Sequence, residues 1–185
     1  MLFSSATIKY AALLLATSAA ALPTSVPGFE PGVRNVCFDE SPKLHCYSGE
    51  TDVPQDVKPE DVSYIASYLR AYGRQTRIGR LFTMNAADAP ECGEWILYAR
   101  GTAAAYAKKI NMTYDSSVLF SDIANTIDGG SVAEADSLLK CDTDGGSFGT
   151  QITDVAAPAY TTQEYIDAGF KPDGILIKIV SNKEL

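Results

Sequence analysis

Four cysteines spread over more than half of the chain place the strongest constraint on what it can fold into. None of them belongs to a Cys-x-x-Cys pair, and His45 is the sole histidine in the sequence. A structural zinc site usually needs such pairs or several histidines, so we do not expect a metal. In an oxidising compartment, an even number of widely spaced cysteines predicts two disulfides, with three pairings open. The four are Cys37, Cys46, Cys92 and Cys141.

Residues 1–21 have the pattern of a secretory signal peptide, which would direct the protein to an oxidising compartment. Lys9 provides one positive charge, and residues 10–16 form an apolar run too short to span a bilayer. Small residues at 19–21 predict cleavage before Leu22. We therefore expect a secreted, extracellular protein.

The remaining 164 residues are enough for one domain with a buried core. We assign residues 22–33 to a proline-rich lead-in and 34–185 to a single domain. The formal charge of the whole chain is −8, which disfavours nucleic acids and anionic membranes as partners. We expect a monomer that needs no cofactor and does not insert stably into a membrane.

Two helices are predicted from capping signals and apolar spacing. The first spans Pro59–Tyr72, with acids in its first turn and Gly73 at its end. The second spans Ser116–Asp128, with Asp115 as its cap and two glycines after it. A capping box of Thr161 and Glu164 predicts a further short helix.

Five segments rich in β-branched or aromatic residues are predicted strands. With the helices, they predict an α+β fold: a largely antiparallel sheet with two main helices packed on it, in a disulfide-stabilised two-layer sandwich. The first-choice pairing is Cys37–Cys46 with Cys92–Cys141, which gives one short loop and one clasp around the second helix. The strands are Asn35–Phe38, Arg80–Met84, Trp95–Arg100, Gly149–Val155 and Ile175–Val180.

The segment CDTDGGSF, residues 141–148, has the composition of either a turn or a cation-binding loop. Helix-loop-helix calcium loops need a ligand where Gly146 stands and a glutamate where Thr153 stands, so that loop type is excluded. We predict a tight turn beside a bonded cysteine, with glycines at positive φ. A weak metal site of another geometry at Asp142 and Asp144 stays open.

Catalysis is the alternative to a binding function. A serine nucleophile usually needs a histidine base, and His45 lies next to Cys46, so we do not expect a serine hydrolase. Glycoside cleavage needs two carboxylates across a cleft, and Glu91 and Glu94 stand beside Trp95. A secreted carboxylate-dependent hydrolase is therefore one alternative, and a cell-wall or surface structural protein is another.

Arginines cluster after the first helix. Residues 70–109 carry a formal charge of +4, while the rest of the chain after residue 21 carries −13. This polarisation predicts a patch that recognises an anionic partner, with solvated, ion-paired arginines as the alternative. The cluster consists of Arg70, Arg74, Arg77 and Arg80. Asn111 begins an Asn-Met-Thr acceptor for N-glycosylation.

The order of these features resembles the killer-toxin-like secreted proteins of filamentous fungi. The group includes small α/β sandwiches related to virus-encoded killer toxins and the necrosis-inducing extracellular effectors of plant-associated fungi. The residues that carry the resemblance are the Cys37-x8-Cys46 spacing, the strand led by Cys92-Gly93-Glu94-Trp95, the helix ending in Gly129-Gly130, the loop led by Cys141, and the final Gly174–Asn182 segment.

The resemblance implies a non-enzymatic effector or toxin-like protein without a cofactor. Such a protein would bind a target on another organism's cell or matrix, whether a host or competitor protein, a glycan or a membrane channel. The resemblance would instead allow an N-terminal cysteine to reach Cys141, in place of the first-choice pairing.

Overall fold

The computed structural model describes residues 34–35, 40–89, 93–131 and 136–183. The predicted signal peptide, the lead-in up to residue 33, and Cys37, Glu91 and Cys92 lie outside the described residues. The fold is α+β and has two layers, as predicted, with antiparallel strands on one side and the main helices on the other.

Six strands form the main sheet, in the order β1-β4-β5-β8-β7-β2, and every neighbouring pair is antiparallel. Strands β3 and β6 form a separate antiparallel pair. The strands are β1 Arg34–Asn35, β2 His45–Cys46, β3 Leu81–Met84, β4 Gly93–Arg100, β5 Ala103–Lys109, β6 Ser116–Leu119, β7 Gly146–Gly149 and β8 Ile175–Ser181.

The described residues contain three α-helices: α1 Pro59–Gly73, α2 Phe120–Asp128 and α3 Gln163–Asp167. Helix α1 begins and ends as predicted, with Pro59 in its first turn. Its buried face joins α2 and the inward side of the sheet in one core. Gly73 permits the close approach of the two helices, because a Cβ there would lie 3.0 Å from Cβ of Phe120.

Several predicted boundaries were wrong. Helix α2 begins at Phe120 and not at Ser116, because residues 116–119 pair with β3. Strand β7 covers 146–149, upstream of the predicted 149–155. The cap of α3 is Thr162, whose hydroxyl accepts from the backbone N–H of Tyr165, and not Thr161. Strand β5 was not predicted, although it lies in the middle of the sheet.

The disulfide joins Cys46 to Cys141 across 95 residues of sequence, so the first-choice pairing was wrong. The physical reason is the register of β2 on β7, which sets Cys46 opposite Gly146, five residues from Cys141. The alternative that the resemblance allows, an N-terminal cysteine bonded to Cys141, is the one found.

The CDTDGGSF segment begins within the 3₁₀ helix Leu138–Asp144, passes through Gly145 and enters β7 at Gly146, so the predicted turn is confined to the junction of these two elements. The predicted positive φ is found at Gly145 (67°), and Asp142 (51°) also has a positive φ where the 3₁₀ helix is interrupted. A Cβ at Gly146 would lie 2.5 Å from the His45 carbonyl oxygen and 3.0 Å from Sγ of Cys141. Glycine is therefore needed where the chain passes the disulfide.

No three His, Cys, Asp or Glu side chains among the described residues come together as metal ligands. No helix within the described ranges is long and apolar enough to cross a membrane.

Candidate recognition surface

The four clustered arginines occupy three different environments. Arg70 is turned into the fold, where its guanidinium donates to Oδ1 of Asn125 at 3.1 Å and to Oδ1 of Asp128 at 2.7 Å. Its side chain is 20% exposed. This contact ties α1 to the end of α2, so Arg70 matches the ion-paired alternative.

Arg74 and Arg77 are exposed on the loop between α1 and β3. Neither guanidinium forms an ion pair with an acidic side chain of the described residues. Arg80, at the end of the same loop, lies against Tyr72: its guanidinium carbon is 4.3 Å from the ring centre, and Nη1 donates to the Tyr72 hydroxyl at 3.0 Å.

Tyr72 belongs to a row of aromatic side chains that we name the tyrosine strip. Three of its members, Tyr64, Tyr68 and Tyr72, follow one face of α1 at four-residue spacing. The fourth, Tyr98, comes from β4. Eight residues of helix separate the two ends, a length of about 12 Å.

The rings of the strip lie nearly parallel. Tyr68 stacks on Tyr98 with ring centres 3.8 Å apart and planes 17° apart. The centres of Tyr64 and Tyr98, and those of Tyr68 and Tyr72, are 6.4 Å apart. Each ring is thus held by a neighbour, which fixes its orientation.

A guanidinium closes each end of the strip. Arg80 covers Tyr72, and at the other end the guanidinium carbon of Arg100 is 4.6 Å from the centre of the Tyr64 ring. Such contacts of a cation with an aromatic face contribute roughly 0.5 to 1 kcal/mol at exposed sites. The strip and its two arginines therefore form one connected surface.

The strip is open to solvent although it is aromatic. Tyr64 is 45% and Tyr68 40% exposed, while Tyr72 and Tyr98 are half-buried beneath them. Burial, followed by the neighbouring Tyr64 and Tyr68, raises the pKa of Tyr98, so its hydroxyl stays protonated well above neutral pH. The surface offers neutral hydroxyls, ring edges and two cations.

Part of this surface could have been found in the sequence. Tyrosines at i, i+4 and i+8 of a helix share one face, so the spacing of Tyr64, Tyr68 and Tyr72 already indicates a tyrosine face on α1. The contributions of Tyr98 and Arg100 depend on the pairing of sheet and helix, which the sequence does not reveal.

The proposed pair of hydrolytic carboxylates is not assembled by the described residues. Glu94 is fully buried and accepts from Nζ of Lys178 at 2.6 Å. Trp95 lies on the opposite face of the strand, where it packs against the core and meets Phe82 edge to face. Glu94 therefore does not share a cleft with Trp95, and Glu91 lies outside the described residues.

A second hydrolytic signal, overlooked in the sequence, is the Gly-x-Ser-x-Gly pattern at residues 145–149. In hydrolases that use this pattern, the serine sits on a sharp turn from strand to helix. Ser147 instead lies within β7 and is 1% exposed. It pairs with His45 in the sheet, but no hydrogen bond between their side chains is found in this described region.

Asn111, the predicted glycosylation acceptor, lies in the loop from β5 to β6 and is partly exposed. Its side-chain oxygen accepts from the backbone N–H and the hydroxyl of Thr113. The loop is on the surface, as a glycan requires.

Comparison of the chain with protein-family models, with curated proteins and with solved structures finds no match.

Proposed function

We propose that the protein is a secreted effector or toxin-like protein that acts by binding a target on another organism's cell or matrix, and not by catalysis. The tyrosine strip with Arg80 and Arg100 is the binding surface. It meets a partner with an apolar or aromatic centre and acidic groups placed to reach the two guanidiniums.

The observation that carries this proposal is the exposure of a rigid row of tyrosines between two arginines. Tryptophan, tyrosine and arginine are enriched at the energetically important positions of protein interfaces, and tyrosine adds a large contact area at low entropic cost. Exposed aromatic patches bordered by polar residues are typical of interaction sites. The uneven charge distribution adds attraction toward an acidic partner.

The test compares two variants in a bioassay. The oxidised protein, a Tyr64→Ala/Tyr68→Ala variant and an Ile166→Ala control are applied to plant leaf tissue and to competing fungal cells. Ile166 is 58% exposed on α3 and lies outside the strip. Its replacement by alanine therefore controls for the general effect of removing an exposed apolar side chain. Circular dichroism first shows that all three proteins are folded.

We expect cell death or growth arrest from the wild type and from the control, and none from the double tyrosine variant at the same dose. Removing one interface tyrosine at an important position costs about 2 kcal/mol or more, roughly 30-fold in affinity. Full activity of the folded double variant would refute the strip as the binding surface.

A further inference from the structure

A cavity of about 850 Å³ lies on the face of the main sheet that the helices leave uncovered. Its lining comes from β2, β7 and β8 and from the segment at residues 40–55, and it includes His45, Tyr47, Ser147 and Lys178. The volume is within the range of small-molecule sites, roughly 300 to 1,000 Å³. The tyrosine strip is on the helical side of the sheet, so the two sites are separate.

The walls of this cavity are fixed by the turn at residues 141–148. The disulfide anchors Cys46, between two lining residues, and the backbone N–H groups of Tyr47 and Gln55 donate to carbonyls of Gly145 and Asp144. Asp52 holds the segment together by accepting from the Gly49 N–H at 3.0 Å and contacting Nε2 of His45 at 3.0 Å. The segment at residues 141–148 thus fixes the shape of the cavity and contributes Ser147 to its lining.

Buried charges at the cavity are already paired with one another. Nζ of Lys178 lies 2.6 Å from Glu94 and 2.7 Å from Glu40, whose second oxygen accepts from Lys108 at 2.5 Å. All four side chains are at most 10% exposed. Each of these carboxylates contacts an ammonium group, so a charged ligand at this end of the cavity would compete with an existing ion pair.

Two polar groups at the cavity can each form a further hydrogen bond. The Tyr47 hydroxyl is buried and forms no hydrogen bond of normal geometry among the described residues. Burial raises its pKa, while Lys178 and a weak contact with the Ser147 side chain act in the opposite direction. The ammonium group of Lys178 has three N–H donors, and the two carboxylates account for two of them. A buried hydroxyl without a partner is costly, so a bound hydroxyl would remove that cost.

We propose that this cavity binds an uncharged, polyhydroxylated small molecule of the size of a mono- or disaccharide. The hydroxyl groups of such a ligand can form hydrogen bonds with Tyr47 and Lys178 without breaking the ion pairs of Lys178 with Glu40 and Glu94. Amino acids and uronic acids carry charges that the paired groups do not neutralise. The side chains of Leu44, Val53 and Val180 give the lining an apolar portion that suits the C–H face of a sugar ring.

The experiment titrates the oxidised protein with matched sugars and follows backbone amide shifts by NMR. The neutral probes are glucose, galactose, xylose, N-acetylglucosamine and cellobiose. The charged analogues are galacturonate and glucosamine, which differ from neutral members by one group. We expect saturable shifts confined to residues 40–55, 146–149 and 176–181 with at least one neutral sugar, and affinity at least about tenfold lower for its charged analogue.

Two variants connect that binding to the cavity. Tyr47→Phe removes the hydroxyl alone and should weaken binding about 3- to 10-fold. Val53→Trp obstructs the cavity from a position that is 73% exposed, where a larger side chain does not disturb the core, and should abolish binding. Tyr68→Ala, on the other side of the sheet, should bind the sugar as the wild type does.

The proposal is overturned if no neutral sugar of the panel gives saturable shifts, if the shifts map elsewhere, or if both cavity variants bind normally. Stronger binding of a charged analogue also contradicts it. None of these outcomes affects the proposed function of the tyrosine strip, which the bioassay tests separately.

Discussion

Loss of the Cys46–Cys141 disulfide is expected to lower the free energy of unfolding by about 4 to 5 kcal/mol. The bond closes a loop with a sequence separation of 95 residues, and a cross-link of that length removes much of the entropy of the unfolded chain. It also fixes β2, a strand of two residues that is paired only with β7. The edge of the sheet around the cavity should therefore open first.

The measurement is urea unfolding of a Cys46→Ala/Cys141→Ala variant beside the oxidised wild type. A chelator added to the wild type is the control, and it should leave the midpoint unchanged if the CDTDGGSF turn holds no metal. Peptide mapping of the unreduced protein should recover Cys46 joined to Cys141. A bond from Cys46 to Cys37 would contradict the structure and restore the first-choice pairing from the sequence.

Replacement of Lys178 by methionine is expected to lower the free energy of unfolding by about 3 to 5 kcal/mol. Glu94 is fully buried, and without the ammonium group its charge would lose a partner in a region shielded from water. Breaking a buried ion pair from one side has costs of this size, because the remaining charge is uncompensated.

A double variant separates the cost of the orphaned charge from the loss of packing. Lys178→Met/Glu94→Gln removes both charges and should be more stable than Lys178→Met alone, as measured by urea unfolding at pH 7. If the free energy of unfolding of Lys178→Met lies within about 0.5 kcal/mol of the wild-type value, the Lys178–Glu94 pair is not buried in solution.

The contribution of the Lys178–Glu94 ion pair to stability depends on pH, and the direction of that dependence follows from the shift in the pKa of Lys178. Burial by itself lowers the pKa of Lys178, but Tyr47, Glu40 and Glu94 outweigh it and raise the pKa above its usual value. The ion pair therefore stabilises the fold fully at pH values below about 10.4, the pKa of lysine in the unfolded chain. This stabilisation is lost as the pH rises through the higher pKa that Lys178 has in the folded protein.

The elements with strong local signals were predicted well. Helix α1 has a proline start, an acidic first turn and regular apolar spacing, and β8 is rich in β-branched residues. Strand β5 reads AAAYAKK, and alanine and lysine favour helices in isolation. Its pairing with β4 and β8 overrides that preference, so only the tertiary context determines it.

The candidate sites depended on contacts between distant parts of the chain. The sequence grouped four arginines, but Arg70 pairs with Asp128 and only Arg80 joins the tyrosine strip. Lys178 and Glu94 are 84 residues apart in sequence and meet through the order of the strands. The helical part of the strip follows from the four-residue spacing of its tyrosines, but Tyr98, Arg100 and the cavity do not follow from local periodicity.

The central claim is that the tyrosine strip binds a target on another organism's cell, and equilibrium binding of fluorescently labelled protein to intact cells of a responsive organism tests it most directly. We predict saturable binding that weakens with added salt, since the arginines contribute electrostatically, and an affinity at least about 30-fold lower for folded Tyr64→Ala/Tyr68→Ala. Ile166→Ala should bind as the wild type does. Equal binding by the double tyrosine variant, or binding that does not saturate, would contradict the claim.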